Sequence, residues 1–189
     1  ENLYSKRMRI LRQHKKKQML EKLQAEVAKW QAADSSVKVI PALHYIAVTA
    51  QGSNSMNNKH RLRMPFRQID TIVNWAKSID AAVFLDIQVG HSSVKEEVVS
   101  LANYFKLPNV HLGIDPEFSM KNGETPGTKI GTFTADDIND AIDFLAKIVR
   151  ENKLPPKVLV VHRFTQGMVT NYKKIKTIPE VQVVINMDG

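Results

Sequence analysis

The chain contains no cysteine among its 189 residues, which excludes disulfide bonds and metal sites built from thiolates. No apolar stretch approaches the roughly 20 residues that a membrane-spanning helix needs. The sequence also lacks the glycine-rich patterns G-x-G-x-x-G and G-x-x-x-x-G-K-[ST], and the G-x-S-x-G turn that presents a nucleophilic serine. These absences argue against a membrane-spanning protein, a dinucleotide-binding domain and an α/β serine hydrolase.

Positive charge is concentrated at the start of the chain. Residues 1–33 carry nine Lys or Arg and three Glu, a net charge of +6, whereas the formal charge of the whole chain is +8. Leu20, Leu23, Val27 and Trp30 follow helical spacing and predict one apolar stripe. We interpret residues 1–36 as a basic helical segment whose solvated face could contact an anionic partner. No aromatic residue interleaves with the basic cluster, so we expect no nucleic-acid partner.

The rest of the chain, residues 37–189, alternates between apolar runs and amphipathic segments. Continuous Val, Ile and Leu runs are typical of buried parallel strands, and strict alternation with helices predicts a parallel sheet with right-handed crossovers. The predicted strands are residues 39–44, 83–88, 110–117, 158–163 and 181–188. We expect residues 50–65 to form an irregular loop, and we expect Ser93 with Glu96 and Thr134 with Asp137 to open helices as capping boxes. The helix that follows Thr134 has its predicted apolar face at Ile138, Ala141, Ile142, Leu145 and Ile148 or Val149. A closed eight-stranded barrel typically needs about 250 residues. We therefore predict an α/β domain resembling a TIM barrel, but partial and with five strands; the alternative is a small open parallel sheet.

Each of the five runs ends in an acid, a histidine or an amide. Ligands of α/β folds bind beyond the carboxyl ends of parallel strands, so these side chains should meet at one rim if the strands are neighbours. The residues concerned are His44, Asp86, Gln88, Asp115, Glu117, His162, Arg163 and Asp188.

Two carboxylates at one strand end favour a hydrolase that acts on a glycan. Glycosidases need a carboxylic acid to protonate the leaving oxygen and a second carboxylate nearby. We assign Glu117 as the acid and Asp86 or Asp188 as the nucleophile or base. The remaining strand-end residues would bind substrate: His44, Gln88, Asp115, His162 and Arg163.

Two alternatives stay open. Carboxylate oxygens and an imidazole also suit a divalent metal, so His162, Asp86, Asp115 and Glu117 could serve a metal-dependent phosphodiesterase. No compact ligand motif such as H-E-x-x-H is present, and the glycosidase interpretation needs no cofactor. The second alternative is a non-catalytic domain that binds a cell-wall polymer.

Four segments resemble a family of bacterial proteins of uncharacterised activity, described as secreted or lipoprotein-like. The segments are HYIAVTAQG (44–52), VFLDIQVG (83–90), VHLGIDPEFSM (110–120) and VVHRFTQGMV (160–169). The resemblance covers about residues 38–189. It implies a TIM-barrel-type fold longer than this chain, with further βα units after residue 189, and a location outside the cell or in its envelope.

Overall fold

The computed structural model describes residues 16–53 and 56–187. Within these residues the chain forms eight strands: β1 (Ala42–Ala50), β2 (Arg61–Arg63), β3 (Ala82–Ile87), β4 (Val110–Ile114), β5 (Phe133–Thr134), β6 (Lys157–His162), β7 (Val169–Thr170) and β8 (Val181–Asn186). The same residues form five α-helices: α1 (Lys16–Ala33), α2 (Phe66–Lys77), α3 (Val94–Ser100), α4 (Ala102–Phe105) and α5 (Ala135–Asn152). None of these helices combines the length and the apolar character needed to cross a bilayer.

The main sheet has the strand order β2-β1-β3-β4-β6-β8. All its neighbours pair in parallel except β2, which runs antiparallel to the end of β1. The predicted α/β class and parallel sheet are therefore confirmed. In the described part of the chain this sheet is open, with β2 and β8 at its edges. The closed barrel of the TIM type is not formed by these residues.

One face of the sheet is covered by a single layer of helices. The Tyr104 hydroxyl of α4 donates a hydrogen bond to Asp70 of α2 at 2.7 Å, and the Phe105 ring of α4 meets Phe144 of α5 edge-on. The strand side chains beneath this layer are fully buried, among them Tyr45, Leu85, Leu112 and Leu159. Because alternate strand residues point to opposite faces, the other set points away from the helices; we call that side the inner face.

Helix α5 agrees closely with the sequence prediction. Thr134 and Asp137 form the predicted capping box, in which the Thr134 amide donates to the Asp137 carboxylate at 2.7 Å. Its predicted apolar face is buried: Ile138, Ala141, Ile142 and Leu145. Satisfied amides at the first turn and a continuous apolar stripe are the two local features that define where a helix begins and how it packs.

The spacing of apolar residues in the N-terminal segment predicts one helix over residues 6–32, with Trp30 in the core. Residues 6–15 of this predicted helix lie outside the described residues, and the described part packs less against the domain than predicted. Met19 and Leu20 join the hydrophobic core and Leu23 packs against it, but Trp30 is 64% exposed. The interpretation of Trp30 as a core residue is therefore wrong, because the stripe turns away from the domain before it reaches this position.

The segment 50–65, expected to be an irregular loop, contains β2 and is tied to α3. Glu97 is fully buried and accepts hydrogen bonds from Arg61 Nε and Arg63 Nε, both at 2.7 Å. Ser92 Oγ donates to the same carboxylate at 2.5 Å. Ser93 caps α3 as predicted by accepting from the Glu96 amide, while the Glu96 side chain pairs with Lys59 and Arg61 instead of returning to the cap.

Replacing Glu97 with glutamine should lower the free energy of unfolding by about 3 kcal/mol, because removing one partner leaves buried charge without compensation. Urea denaturation of Glu97→Gln and wild type measures this loss. Glu151 is the matched control, since its pair with Lys147 is exposed at 3.8 Å and Glu151→Gln should change stability by less than about 0.5 kcal/mol. Equal effects of the two substitutions would contradict a structural role for the buried network.

Candidate metal centre

The inner face presents its side chains in rows that cross the strands. The first row contains His44, Phe84, His111, Val158 and Gln182, and the second contains Ile46, Asp86, Gly113, Val160 and Val184. Gln88, Asp115, His162 and Asn186 follow at the carboxyl ends of their strands. Most of the functional residues predicted from sequence thus share one face, as the alternation along each strand requires.

Three of these side chains converge on one point. His44 Nε2 lies 3.2 Å from Asp86 Oδ2, and His162 Nε2 lies 3.6 Å from Asp86 Oδ1. One ligand atom from each of the three residues fits within a mutual separation of 4.8 Å. We call His44, Asp86 and His162 the His–Asp–His cluster.

Convergence over this distance requires side chains that reach across the sheet. β1 and β6 are three strand spacings apart, which is about 14 Å for a flat sheet. The His44 and His162 ring centroids are nevertheless separated by only 5.8 Å. Both rings therefore lean toward Asp86 on β3, and the His162 ring reaches over the intervening strand β4.

The cluster has the donor set and the spacing of a transition-metal site. Two histidines and one carboxylate are ligands that zinc and iron accept. Two ligands that are 2.0–2.1 Å from a tetrahedral zinc lie about 3.3 Å apart. The histidine nitrogens lie 3.2 and 3.6 Å from different oxygens of Asp86, and one atom from each of the three residues fits within 4.8 Å. A small inward movement of the imidazoles would complete such a geometry.

Asp86 is the least exposed member and remains ionised. Burial opposes its charge, but the favourable interactions of the carboxylate with the His162 and His44 imidazoles outweigh burial and hold the pKa of the carboxyl well below its usual range. Its Oδ1 atom is buried and accepts no hydrogen bond from any described residue. A buried carboxylate oxygen without a donor is costly, and a bound cation would remove that cost.

Gly113 makes room for the Asp86 carboxylate. A Cβ atom at this position would lie 2.3 Å from Asp86 Oδ1, a distance that real Cβ atoms essentially never show, and 3.1 Å from its Cγ, which is also tight. β4 separates Asp86 from His162 in the sheet, so any side chain at position 113 would stand between them. The sequence signal was the glycine in an otherwise apolar strand, which often marks a close approach.

Asp115 lies beside the cluster and is held by Gln88. The Gln88 amide donates to Asp115 Oδ2 at 3.2 Å, and Gln88 Oε1 accepts from the Ala50 amide at 3.1 Å. Burial, with the nearby charge of Asp86, raises the pKa of Asp115 to about 7. Asp86 and Asp115 therefore differ in protonation near neutral pH, a difference that commonly separates catalytic bases from acids.

The other predicted site residues take different positions. Glu117 follows Asp115 in a short 3-10 turn, and its backbone amide donates to Asp115 Oδ1 at 3.1 Å. Its carboxylate is not a member of the metal-ligating group found among the described residues. Arg163 donates to the carbonyls of Thr165 and Gln166 in its own loop. Asp188 lies outside the described residues.

His111 and Phe84 form a ring pair next to the cluster that sequence reasoning did not identify. Their centroids are 5.2 Å apart, and Phe84 is paired with His44 in the sheet register. His111 Nδ1 accepts a hydrogen bond from the Val158 amide at 3.1 Å, so this nitrogen carries no proton. Burial, with the nearby charge of Lys157, lowers the pKa of His111 to about 4.

This lowered pKa predicts a loss of stability in acid. A histidine in the unfolded chain has a pKa of about 6.5, so between pH 6.5 and 4 the unfolded chain binds a proton that folded His111 does not. The free energy of unfolding should therefore fall as the pH is lowered through this window. In His111→Asn, whose Oδ1 can accept from Val158 without titrating, urea midpoints at pH 7, 5.5 and 4.5 should fall less steeply. Identical slopes for variant and wild type would contradict a neutral, buried His111.

Comparisons of this chain with protein-family models, with curated proteins and with solved structures find no match.

Proposed function

We propose that this protein is a hydrolase that uses a divalent transition metal held by His44, Asp86 and His162. The observation that supports it best is the convergence of two imidazoles and a buried, ionised carboxylate at metal-ligand spacing. A site of three protein ligands with an open position is typical of catalytic rather than structural zinc. His44, which is 44% exposed at its side chain, leaves the cluster accessible from the inner face.

Each residue has a distinct role in this proposal. His44 and His162 bind the metal through Nε2, and Asp86 supplies negative charge that offsets the charge of the ion. A metal at this position would acidify a bound water and polarise a carbonyl or phosphoryl oxygen. Asp115, held in place by Gln88, would transfer a proton to the leaving group.

A glycosidase is the second candidate, and the two carboxylates support it. Asp86 is ionised while Asp115 is partly protonated near neutral pH, as an acid and a nucleophile would be. In this version Asp115 shares or replaces the role of acid that the sequence assigned to Glu117. The metal-dependent function is preferred because both oxygens of Asp86 face histidines, which leaves the carboxylate poorly placed to attack a sugar.

The two functions differ in their response to metal removal. Protein treated with EDTA and then dialysed should not hydrolyse p-nitrophenyl acetate or bis-p-nitrophenyl phosphate, and added Zn²⁺, Co²⁺ or Mn²⁺ should restore hydrolysis of at least one. Asp115→Asn should bind the metal with wild-type affinity and hydrolyse an alkyl ester, whose poor leaving group needs a proton, at least about 100-fold more slowly, as expected for loss of a general acid. Hydrolysis of aryl glycosides that is insensitive to EDTA would overturn the proposal in favour of the glycosidase.

We also propose a barrel-type fold and a cell-envelope location. The parallel strands, which follow one another in chain order across the sheet, support the first. The family resemblance of residues 38–189 supports the second.

A further inference from the structure

The inner face next to the His–Asp–His cluster has the features of a substrate platform. Phe84 and His111 occupy the row of His44, and both rings are partly exposed. Adjacent strands are about 4.8 Å apart, which is the width of one sugar ring. A ring stacked on Phe84 and His111 would therefore hold its substituents at the cluster.

The platform is aromatic and uncharged. The His111 ring is fixed by the Val158 amide, and its lowered pKa keeps it neutral at physiological pH. Aromatic faces carry partial negative charge that attracts the positively polarised C–H groups on the apolar side of a sugar. An ammonium or guanidinium group in the same place would instead favour an anionic ligand.

Charge on this face argues against a substrate that is itself an anion. In the described strands, no lysine or arginine occupies a position in the two rows of the inner face. Arg163, the nearest cation in sequence to the cluster, has its guanidinium engaged by carbonyls of its own loop. Sites that bind phosphodiesters usually supply Arg or Lys in addition to a metal. Exposed amides are present instead, on Gln182 and Asn186 of β8, and these suit sugar hydroxyls.

We infer that the site takes a neutral sugar bearing an O- or N-acyl group, with the sugar ring on Phe84 and His111 and the acyl carbonyl at the His–Asp–His cluster. This inference rests on the proposed metal-dependent hydrolysis and names its substrate class. Water adds to the acyl carbon, and the bond from that carbon to the sugar oxygen or nitrogen breaks. The leaving oxygen or nitrogen takes a proton from Asp115, and the proton released by the attacking water returns to Asp115, so that the products are a carboxylic acid and a free hydroxyl or amino sugar.

The test uses zinc-loaded protein and three substrates: N-acetylglucosamine tetramer or acetylated xylo-oligosaccharide as the acylated sugar, p-nitrophenyl acetate as an ester without a sugar, and bis-p-nitrophenyl phosphate. Wild type should release acetate from an acylated sugar. Phe84→Ala should lower kcat/KM for that sugar about 10-fold, the value of one stacking contact, and leave kcat/KM for p-nitrophenyl acetate within about 2-fold. Phe66→Ala is the matched control, because Phe66 is 59% exposed on the helix layer, and it should change neither.

The thermal melt of each variant shows whether it is folded. Phe84→Trp keeps an aromatic face at position 84. It should therefore retain activity on the acylated sugar even if Phe84→Ala is unstable. An equal loss on both acetyl substrates would overturn the platform, as would loss of activity in Phe84→Trp. If wild type hydrolyses the phosphodiester faster than the acylated sugar, the inferred substrate class is wrong, but the proposed metal-dependent hydrolase is not contradicted. Absence of metal-dependent hydrolysis on all three substrates would overturn the proposed function and this inference with it.

Discussion

The His162→Ala variant should bind Zn²⁺ at least about 100-fold more weakly than wild type. Loss of a residue that merely orients a ligand already costs 10–100-fold in metal affinity, and His162 would be one of three direct ligands. Its imidazole comes from the strand farthest from His44 in the cluster. The two ligands that remain lie on the adjacent strands β1 and β3 and cannot enclose the ion from the β6 side.

Isothermal titration with Zn²⁺ measures the affinity, and the visible spectrum of the Co²⁺-substituted protein reports the coordination geometry. His91→Ala is the matched control, since His91 is also partly buried near the carboxyl ends of the strands but contacts the Glu124 carbonyl and the His60 ring. It should bind one zinc as wild type does. An unchanged affinity and Co²⁺ spectrum in His162→Ala would contradict the metal centre, whatever activity the protein has.

The Gly113→Ala variant should lose metal affinity to a similar extent although position 113 supplies no ligand. The added methyl would lie 2.3 Å from Asp86 Oδ1, so the carboxylate must leave its place between the two histidines. The surrounding packing is dense, so the forced shift should also lower the free energy of unfolding by about 1–3 kcal/mol. Gly167→Ala is the control, because a Cβ at Gly167 meets no atom within 4 Å.

A double mutant identifies the cause of the Gly113→Ala effect. If the methyl acts by displacing the Asp86 carboxylate, Gly113→Ala should cost little further stability in an Asp86→Ala background, where that carboxylate is absent. Coupling of this kind is expected for residues in direct contact and not for independent sites. Additive losses in urea denaturation, or wild-type zinc affinity in Gly113→Ala, would contradict this account.

The sheet was predictable from sequence because its signals are local. Apolar runs such as 158–161 and capping residues such as Thr134 and Asp137 act over a few neighbouring positions, and both the parallel strands and α5 follow from them. Trp30 shows what local signals do not predict. Its spacing matches a buried stripe, but burial of a helix face depends on whether other elements of the domain pack against it.

The place of the candidate site in the sheet was predictable from sequence, but the set of residues that forms the His–Asp–His cluster was not. Strand-end placement predicts that Asp86, Asp115 and His162 lie near one another, but it predicts His44 only as a residue that binds substrate. The distinction between Glu117 and Asp115 depends on which carboxylate faces the neighbouring strands, and strand order decides that. Gly113 could not be assigned a role from sequence, since its importance comes from a side chain on another strand.

The reach of the His–Asp–His cluster across the sheet links metal occupancy to folding. Its members are 42 and 76 residues apart in the chain, and they come together only when β1, β3 and β6 already belong to one sheet. An unfolded chain would present these groups far apart, so an ion that binds them favours the folded state by mass action, by about 2.7 kcal/mol at 100 times its dissociation constant. The same three side chains that would activate water would then also act as a non-covalent cross-link between strands, in a chain that has no cysteine with which to form a covalent one.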